Sequence, residues 1–380
     1  QKPASLLEQT LFSYSHYAPV HRSVYPAGEE MTYLYEESRR TIASLLGASS
    51  PEEVVFTSGT TQGLNALARA LCPPVERRHD GRFRLFVTPL EHHANLVPWQ
   101  EVAKENGYQL GYLPFLASGE IDLERLPSFL DETVAVVALH HVSHVTGGVL
   151  PVEVLSPLIR SSGALSVLDA AQSIGHLPVS LPALGCDFCC FSGHKVYGPT
   201  GVGVCWGRQR LWEEMRPWSF GGHMVDQVTL EGATYQKGAA RFEAGTPPFV
   251  QAIGMSHSLA WLSSLNLNEV HRYEQELMLF LIESLSRDHR IRLLGNPSRR
   301  GSLVSMCFDG QQNLKLHPFD VATLLGLERI CVRSGHLCAQ PAMSFFGTTS
   351  CLRVSLGVYT EKSDLEHFMA CLLSILDRLS

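Results

Sequence analysis

No stretch of the 380-residue sequence approaches the roughly 18 consecutive apolar residues that read as a membrane-spanning helix, and no secretory leader is visible. Positive charge is also scarce. Lys and Arg number 30 against 37 Asp and Glu, and charged residues make up only 18% of the chain. A net charge of −7 leaves no electrostatic footprint for nucleic acid or an anionic membrane. An anionic ligand must therefore be met by local positive charge. Internal repeats and low-complexity segments are missing. The ten cysteines lack the short secreted context of a disulfide framework, and most lie in or beside apolar runs, as buried thiols do. "CDFCC" (Cys186–Cys190) has C-x-x-C spacing, but no second pair lies nearby to complete a zinc site. The expectation is a cytoplasmic protein with unpaired cysteines.

What is present is an alternation of short apolar runs and helical patterns. A hydrophobic content of 45% suits one large domain with an appendage, or two domains. "EVVFT", "RLFVT", "VAVVAL", "LSVLDA", "DFCCFS" and "GVGVCW" read as strands between Glu53 and Trp206, and "QGLNALARAL" as a helix. Continuous apolar runs, rather than alternation, indicate strands covered on both faces. The pattern predicts an α/β fold with a mostly parallel central sheet. After about Ser263 the texture changes to long helices with separated strands, ending in a helix with Leu365, Phe368, Met369, Leu372, Ile375 and Leu376 on one face. Thr360 reads as its N-cap. We read a large domain over 1–263 and a smaller α+β domain over 264–380.

Three features carry chemistry. "FTSGTTQGLN" runs from strand through a glycine turn into a helix, presenting free N–H groups and the Thr60 and Thr61 hydroxyls to an anion. An ordinary capped turn gives the same string. Asp169 ends an apolar strand, where a carboxylate faces a ligand crevice or caps the next helix. Lys195 follows a buried-looking strand, where an amine is costly unless paired or used covalently. Taken together, an amine, a carboxylate and an anion cradle form a constellation for pyridoxal phosphate. "HHVSHVTGG" places His140, His141 and His144 within five residues, a spacing that also admits a metal.

The string of motifs "GTTQGLN", "EHHANLVPWQ", "DAAQSIGHLPV", "CDFCCFSGHKVYGPTGVGV", "RFEAGTP" and "VRSGHLCAQP" resembles, over nearly the whole chain, the cysteine desulfurases of the class V aminotransferase group (fold type I). The likeness is greatest to the Suf-type, or group II, branch, which includes the cysteine sulfinate desulfinase-like enzymes. The resemblance implies that Lys195 binds pyridoxal 5'-phosphate covalently, Asp169 faces the pyridine nitrogen and Gln172 bonds the phenolic oxygen. His92 would stack on the ring and move protons. Thr60, Thr61, Ser192 and His194 would hold the phosphate, with Thr246 supplied to a neighbouring subunit of a homodimer. Arg353 would bind the substrate carboxylate, with Arg333 beside it. Cys338, alone among the cysteines in a polar Gly/His setting, would take sulfur from L-cysteine as a persulfide, release alanine, and pass the sulfur to a SufE-like acceptor in iron–sulfur cluster assembly.

The sequence departs from the family at two places that bear on the site. Family members carry a strand and turn resembling "YLDNAAT" ahead of the segment that aligns with "QKPASLLEQ", so the chain reads as incomplete at its N-terminal end. His144 stands where the family has asparagine ("HVSNV"), in contact with cofactor and substrate, and imidazole differs from an amide in reach and shape. The expectation is that His144→Asn raises turnover. Pro248 also replaces an asparagine. Two other functions stay open at this point. One is a pyridoxal-phosphate lyase acting on selenocysteine, cysteine sulfinate or cystine. The other is a non-catalytic protein of the same fold.

Overall fold

The computed structural model describes residues 2–21, 24–309 and 316–379. The apolar runs become the central sheet: β1 (Val54–Thr57), β2 (Arg84–Val87), β3 (Gln109–Tyr112), β4 (Val134–His140), β5 (Leu165–Asp169), β6 (Phe188–Ser192) and β7 (Gly203–Gly207). Their order is β1-β7-β6-β5-β4-β2-β3. β2 to β6 pair in parallel, and β7 runs antiparallel to both its neighbours. This is the mostly parallel α/β sheet that the sequence predicts. Every residue of β4 and β6 is buried, which is why those strands read as unbroken apolar runs. β3 escaped notice because it is an edge strand with no fully buried residue, so nothing selects an apolar string there.

Parallel strands place all their C-terminal ends on one rim, and there the chain turns into helices. The helix Thr60–Leu71 follows β1 through Gly59, whose φ of 144° admits no ordinary side chain. The helix Pro26–Leu45, not read from the sequence, lies against the helix Phe249–Ser264 on one face of the sheet. From it, Arg39 reaches both carboxylate oxygens of Glu243 at 2.8 and 2.9 Å. Glu243 also accepts from the Tyr35 hydroxyl and the Phe56 N–H, both at 2.7 Å. Such a fully bonded buried pair anchors the "RFEAGTP" segment, and deleting one partner is expected to cost roughly 3–5 kcal/mol.

A hairpin of β8 (Val225–Val228) and β9 (Ala233–Tyr235) leads into a second sheet. Its strands, β10 (Arg292–Leu293), β11 (Leu303–Cys307), β12 (Arg333–Gly335) and β13 (Cys351–Ser355), are all antiparallel in the order β10-β11-β13-β12. The long helices Leu267–Ser286 and Lys362–Leu379 close its core, and all six apolar residues expected on the inner face of the last helix are buried there. That helix starts at Lys362. Thr360 does not cap it; its hydroxyl accepts from the Gly357 N–H at 2.9 Å, while Asp364 accepts from the Glu361 N–H. All ten cysteines are free thiols, but Cys331 is exposed rather than part of an apolar core. Among the described residues no helix is long and apolar enough to cross a membrane.

Candidate active site

One cavity opens on the rim of the large sheet. It is lined by Thr60, Thr61, Ser192 and His194, by Asp169, Gln172 and Lys195, and by His92, His144 and Arg333. The sheet brings these together because β4, β5 and β6 end side by side: His140 pairs with Asp169, and Asp169 with Cys190. Lys195 follows β6 in a single tight turn, Gly193–Lys195.

The anion end of the cavity is built at the start of the helix Thr60–Leu71. The Thr60 N–H donates to the Ser192 hydroxyl at 2.9 Å, and the two hydroxyls lie 2.7 Å apart. Gly59 packs so close to β6 that an added Cβ would stand 3.2 Å from the Ser192 oxygen. Helix N–H groups, hydroxyls and the exposed His194 form a donor set suited to a phosphate.

At the other end, burial pushes the Asp169 carboxyl up to about 6, and the carboxylate of Glu91 adds to this. The Ala171 N–H, at 2.9 Å, pulls the other way, as do the charges of His140 and Lys195. The Lys195 amine is held below the usual lysine range by burial first, then by the charges of Arg353 and Arg333. A buried carboxylate raised in this way favours a cationic partner such as a protonated ring nitrogen, and a half-buried amine lowered in this way is readied for covalent use. The residues present therefore fit pyridoxal phosphate on the chemistry of the donor set.

His92 is neutral at physiological pH: burial, then His93, Lys195 and Arg333, bring it down to about 4. Its Nδ1 accepts from the Ala94 N–H at 3.0 Å, so the proton sits on Nε2. His144 meets it edge-on with ring centroids 4.9 Å apart.

The histidine cluster resolves into three separate environments. His140 holds its Nδ1 2.8 Å from Glu91, which also accepts from the His140 backbone N–H and from Thr88. Its Nε2 is buried, has no partner among the described residues, and belongs to a side chain that lines the cavity. His140 thus belongs to the site although the sequence assigned it nothing. The signal available was its register beside Asp169. Glu91, fully buried behind it, was also missed. The His141 backbone N–H donates to the Asp169 carbonyl, and the His144 Nε2 lies 3.1 Å from the Leu337 carbonyl. Among the described residues, no group of three His, Cys, Asp or Glu side chains could hold a metal ion.

Arg353 lies on β13 directly opposite Arg333 on β12. Its Nη1 donates to the His144 carbonyl at 3.0 Å, while its buried Nε has no partner among the described residues. Burial, then Arg333, brings the guanidinium down to about 10. Two facing guanidinium groups, one with a buried donor to offer, are chemically matched to a carboxylate. Arg353→Lys, which keeps the charge but loses the planar fork, is expected to raise KM for an amino-acid substrate about tenfold or more. Steady-state kinetics at saturating cofactor would show it, and an unchanged KM would rule out this contact.

Cys338 lies outside this cavity but lines an adjoining one that shares Thr61, His92 and Ala94 with it. Its sulfur stands 4.0 Å from Nη2 of Arg333. Thr246 is exposed and lines a separate cavity, with Ser58, Gln62 and Tyr35, on the far side of the glycine turn. Within one chain it does not reach Lys195's cavity.

A likeness to proteins of known kind accompanies this geometry. A "Cysteine desulfurase" of Serratia proteamaculans is 37% identical over 99% of this chain and 91% of its own length. A "Probable cysteine desulfurase" of Pseudomonas aeruginosa is 40% identical over 98% and 90%. Among solved structures, the apo cysteine desulfurase of Thermococcus onnurineus superposes with a TM-score of 0.93 at 33% identity, covering 100% of this chain and 92% of that one. The cysteine desulfurase CsdA of Escherichia coli, in its S-sulfonic acid form, gives a TM-score of 0.90 at 34% identity, covering 100% and 93%. The aminotransferase class-V family model matches residues 1–368, and with relatives this similar over nearly the whole of both chains, the protein belongs to the class-V aminotransferase family.

Proposed function

We propose that the chain is a pyridoxal 5'-phosphate-dependent cysteine desulfurase, converting L-cysteine to L-alanine and leaving the sulfur on Cys338 as a persulfide. The observation that carries this reading is the pair of adjoining cavities. The half-buried Lys195 and the half-buried Cys338 line two cavities that share His92.

Bound pyridoxal phosphate would supply a sink for the electron pair released when the substrate's α-proton leaves. The chain does the rest. Thr60, Thr61, Ser192 and His194 hold the phosphate, and Gln172 reaches the phenolic oxygen. Asp169 keeps the ring nitrogen protonated. Arg353, with Arg333, orients the substrate carboxylate so that the α-carbon faces Lys195. The Lys195 amine, depressed by burial, takes the α-proton. His92, neutral with its proton on Nε2, stacks against the ring. The Cys338 thiolate, beside Arg333, attacks the substrate sulfur. The carbon–sulfur bond breaks, its pair stays with the carbon skeleton that becomes alanine, and the new sulfur–sulfur bond is the persulfide.

Three finer assignments go with this reading. Thr246, exposed and turned from its own chain's cavity, serves the phosphate of a second subunit in a homodimer. The groove beside Cys338 hands sulfur to a SufE-like acceptor, in keeping with the Suf-type branch and with iron–sulfur cluster assembly in the cytoplasm. The division into a cofactor-binding part and a cysteine-bearing part falls between 263 and 264, next to Asn266 with its φ of 59°. The test mixes purified, cofactor-loaded protein with L-cysteine and measures alanine, sulfide and Cys338 persulfide together. One alanine per sulfur, with label on Cys338, is expected. Alanine without persulfide would overturn the assignment of Cys338.

A further inference from the structure

We propose that His144 is a positioning residue for the nucleophile: its Nε2–H clasps the Leu337 carbonyl and so holds the Cys338 loop against the large sheet. This rests on the desulfurase reading above. A carbonyl only accepts, so the 3.1 Å contact from Nε2 fixes the proton on that nitrogen. Burial holds His144 far below the usual histidine range, so the ring is neutral and has one N–H only. That single donor is committed to Leu337. Nδ1 is left as an acceptor, and the donor that asparagine would offer a cofactor oxygen is not available from His144.

The loop needs a clasp because of its backbone. Leu337 and Cys338 take consecutive left-handed conformations, with φ of 54° and 56°, and neither is glycine. Each such residue is held at a cost that surrounding contacts must offset. Several contacts do so, among them the Cys338 N–H donating to the His336 Nδ1 at 3.0 Å. The Leu337 side chain is buried in a small cluster with Leu90 and Val145. The His93 N–H donates to the Cys338 carbonyl at 2.8 Å. The His144 imidazole, sitting between these, takes the Leu337 carbonyl. Its own carbonyl accepts from Arg353, so the residue that holds the thiol loop also holds the arginine assigned to the substrate carboxylate. On this proposal His144→Asn slows turnover rather than raising it, because the shorter amide stops short of Leu337.

The test compares His144→Ala and His144→Gln, since glutamine's longer amide can still donate to Leu337. Two readings are taken on the cofactor-loaded protein. One is the rate of Cys338 alkylation by iodoacetamide without substrate, mapped by peptide mass spectrometry. The other is the single-turnover rate of Cys338 persulfide formation from L-cysteine. His144→Ala is expected to alkylate about fivefold faster and form persulfide about fivefold slower, the population change that follows from losing one buried hydrogen bond. Both rates are normalised to the occupancy of the lysine-bound cofactor, read from its visible absorbance. His144→Gln should lie near wild type in both rates. If His144→Ala fails to fold, His144→Asn takes its place. Wild-type rates in the alanine variant, or equal damage in the glutamine variant, would overturn the clasp. A wild-type protein that forms no persulfide sinks the desulfurase reading instead, and the alkylation comparison then still decides the clasp.

Discussion

Cys338→Ser should abolish sulfide release from L-cysteine in the presence of reductant, lowering it by about 1,000-fold or more, as expected when the nucleophile itself is removed. The visible absorbance of the lysine-bound cofactor should survive, because Cys338 lies outside the cavity that contains Lys195 and Asp169. The buried thiols are poorly placed to substitute. Burial pushes Cys72, Cys186 and Cys351 up to about 12 and raises Cys189 and Cys190 well above the usual thiol range. The same variant separates the desulfurase from a lyase acting on cysteine sulfinate, whose leaving group departs without thiol attack. Serine at 338 should spare that reaction. Sulfide release at the wild-type rate from the serine variant would sink the role given to Cys338.

Asp169→Asn should affect the protein in opposite directions with and without cofactor. In the folded, cofactor-free chain burial pushes the carboxyl up to about 6, above the ordinary aspartate value of about 3.9. The native state therefore keeps a proton that the unfolded chain has released between these two values. Stability falls as pH rises through that window and stays lower above it. The displacement corresponds to roughly 3 kcal/mol at neutral pH, at about 1.4 kcal/mol per unit. Asparagine removes the titration. Its cofactor-free form should match wild type at pH 4 and exceed it at pH 7, by denaturant titration. The loaded form should do the reverse. Without a carboxylate facing the ring nitrogen, cofactor dissociates more readily and turnover drops by about 100-fold or more. Equal stability differences at the two pH values would contradict the buried-carboxyl argument.

These residues also show how far the sequence can be read. Asp169 and Lys195 were legible because each stands at the end of an apolar strand, where a charge is out of place without a task. The glycine turn was legible because Gly59 precedes two hydroxyl residues and a helical pattern. Cys338 stood out by its polar neighbours. His140 was not legible, because its importance lies in lateral register: β4 must lie beside β5 before His140 stands beside Asp169. Glu91 is silent for a related reason: Thr88 and Asn95 bond it locally, but its link to the site runs through His140, 49 residues away. The clasp between His144 and Leu337 spans 193 residues, and no local pattern encodes a side chain meeting a carbonyl at that separation. The edge strand β3 and the helix Pro26–Leu45 went unread. A half-covered strand and a helix with polar residues throughout lack the continuous apolar string on which the assignment rested.

The facing arginines of β12 and β13 have a consequence for turnover. A grip on the α-carboxylate cannot distinguish L-cysteine from L-alanine, since the reaction changes only the side chain. In the proposed desulfurase, whatever Arg353 and Arg333 contribute to capture of the substrate, they contribute equally to retention of the product. Escape of alanine must then depend on something else, and competition by simple α-amino acids becomes a built-in property of the pocket.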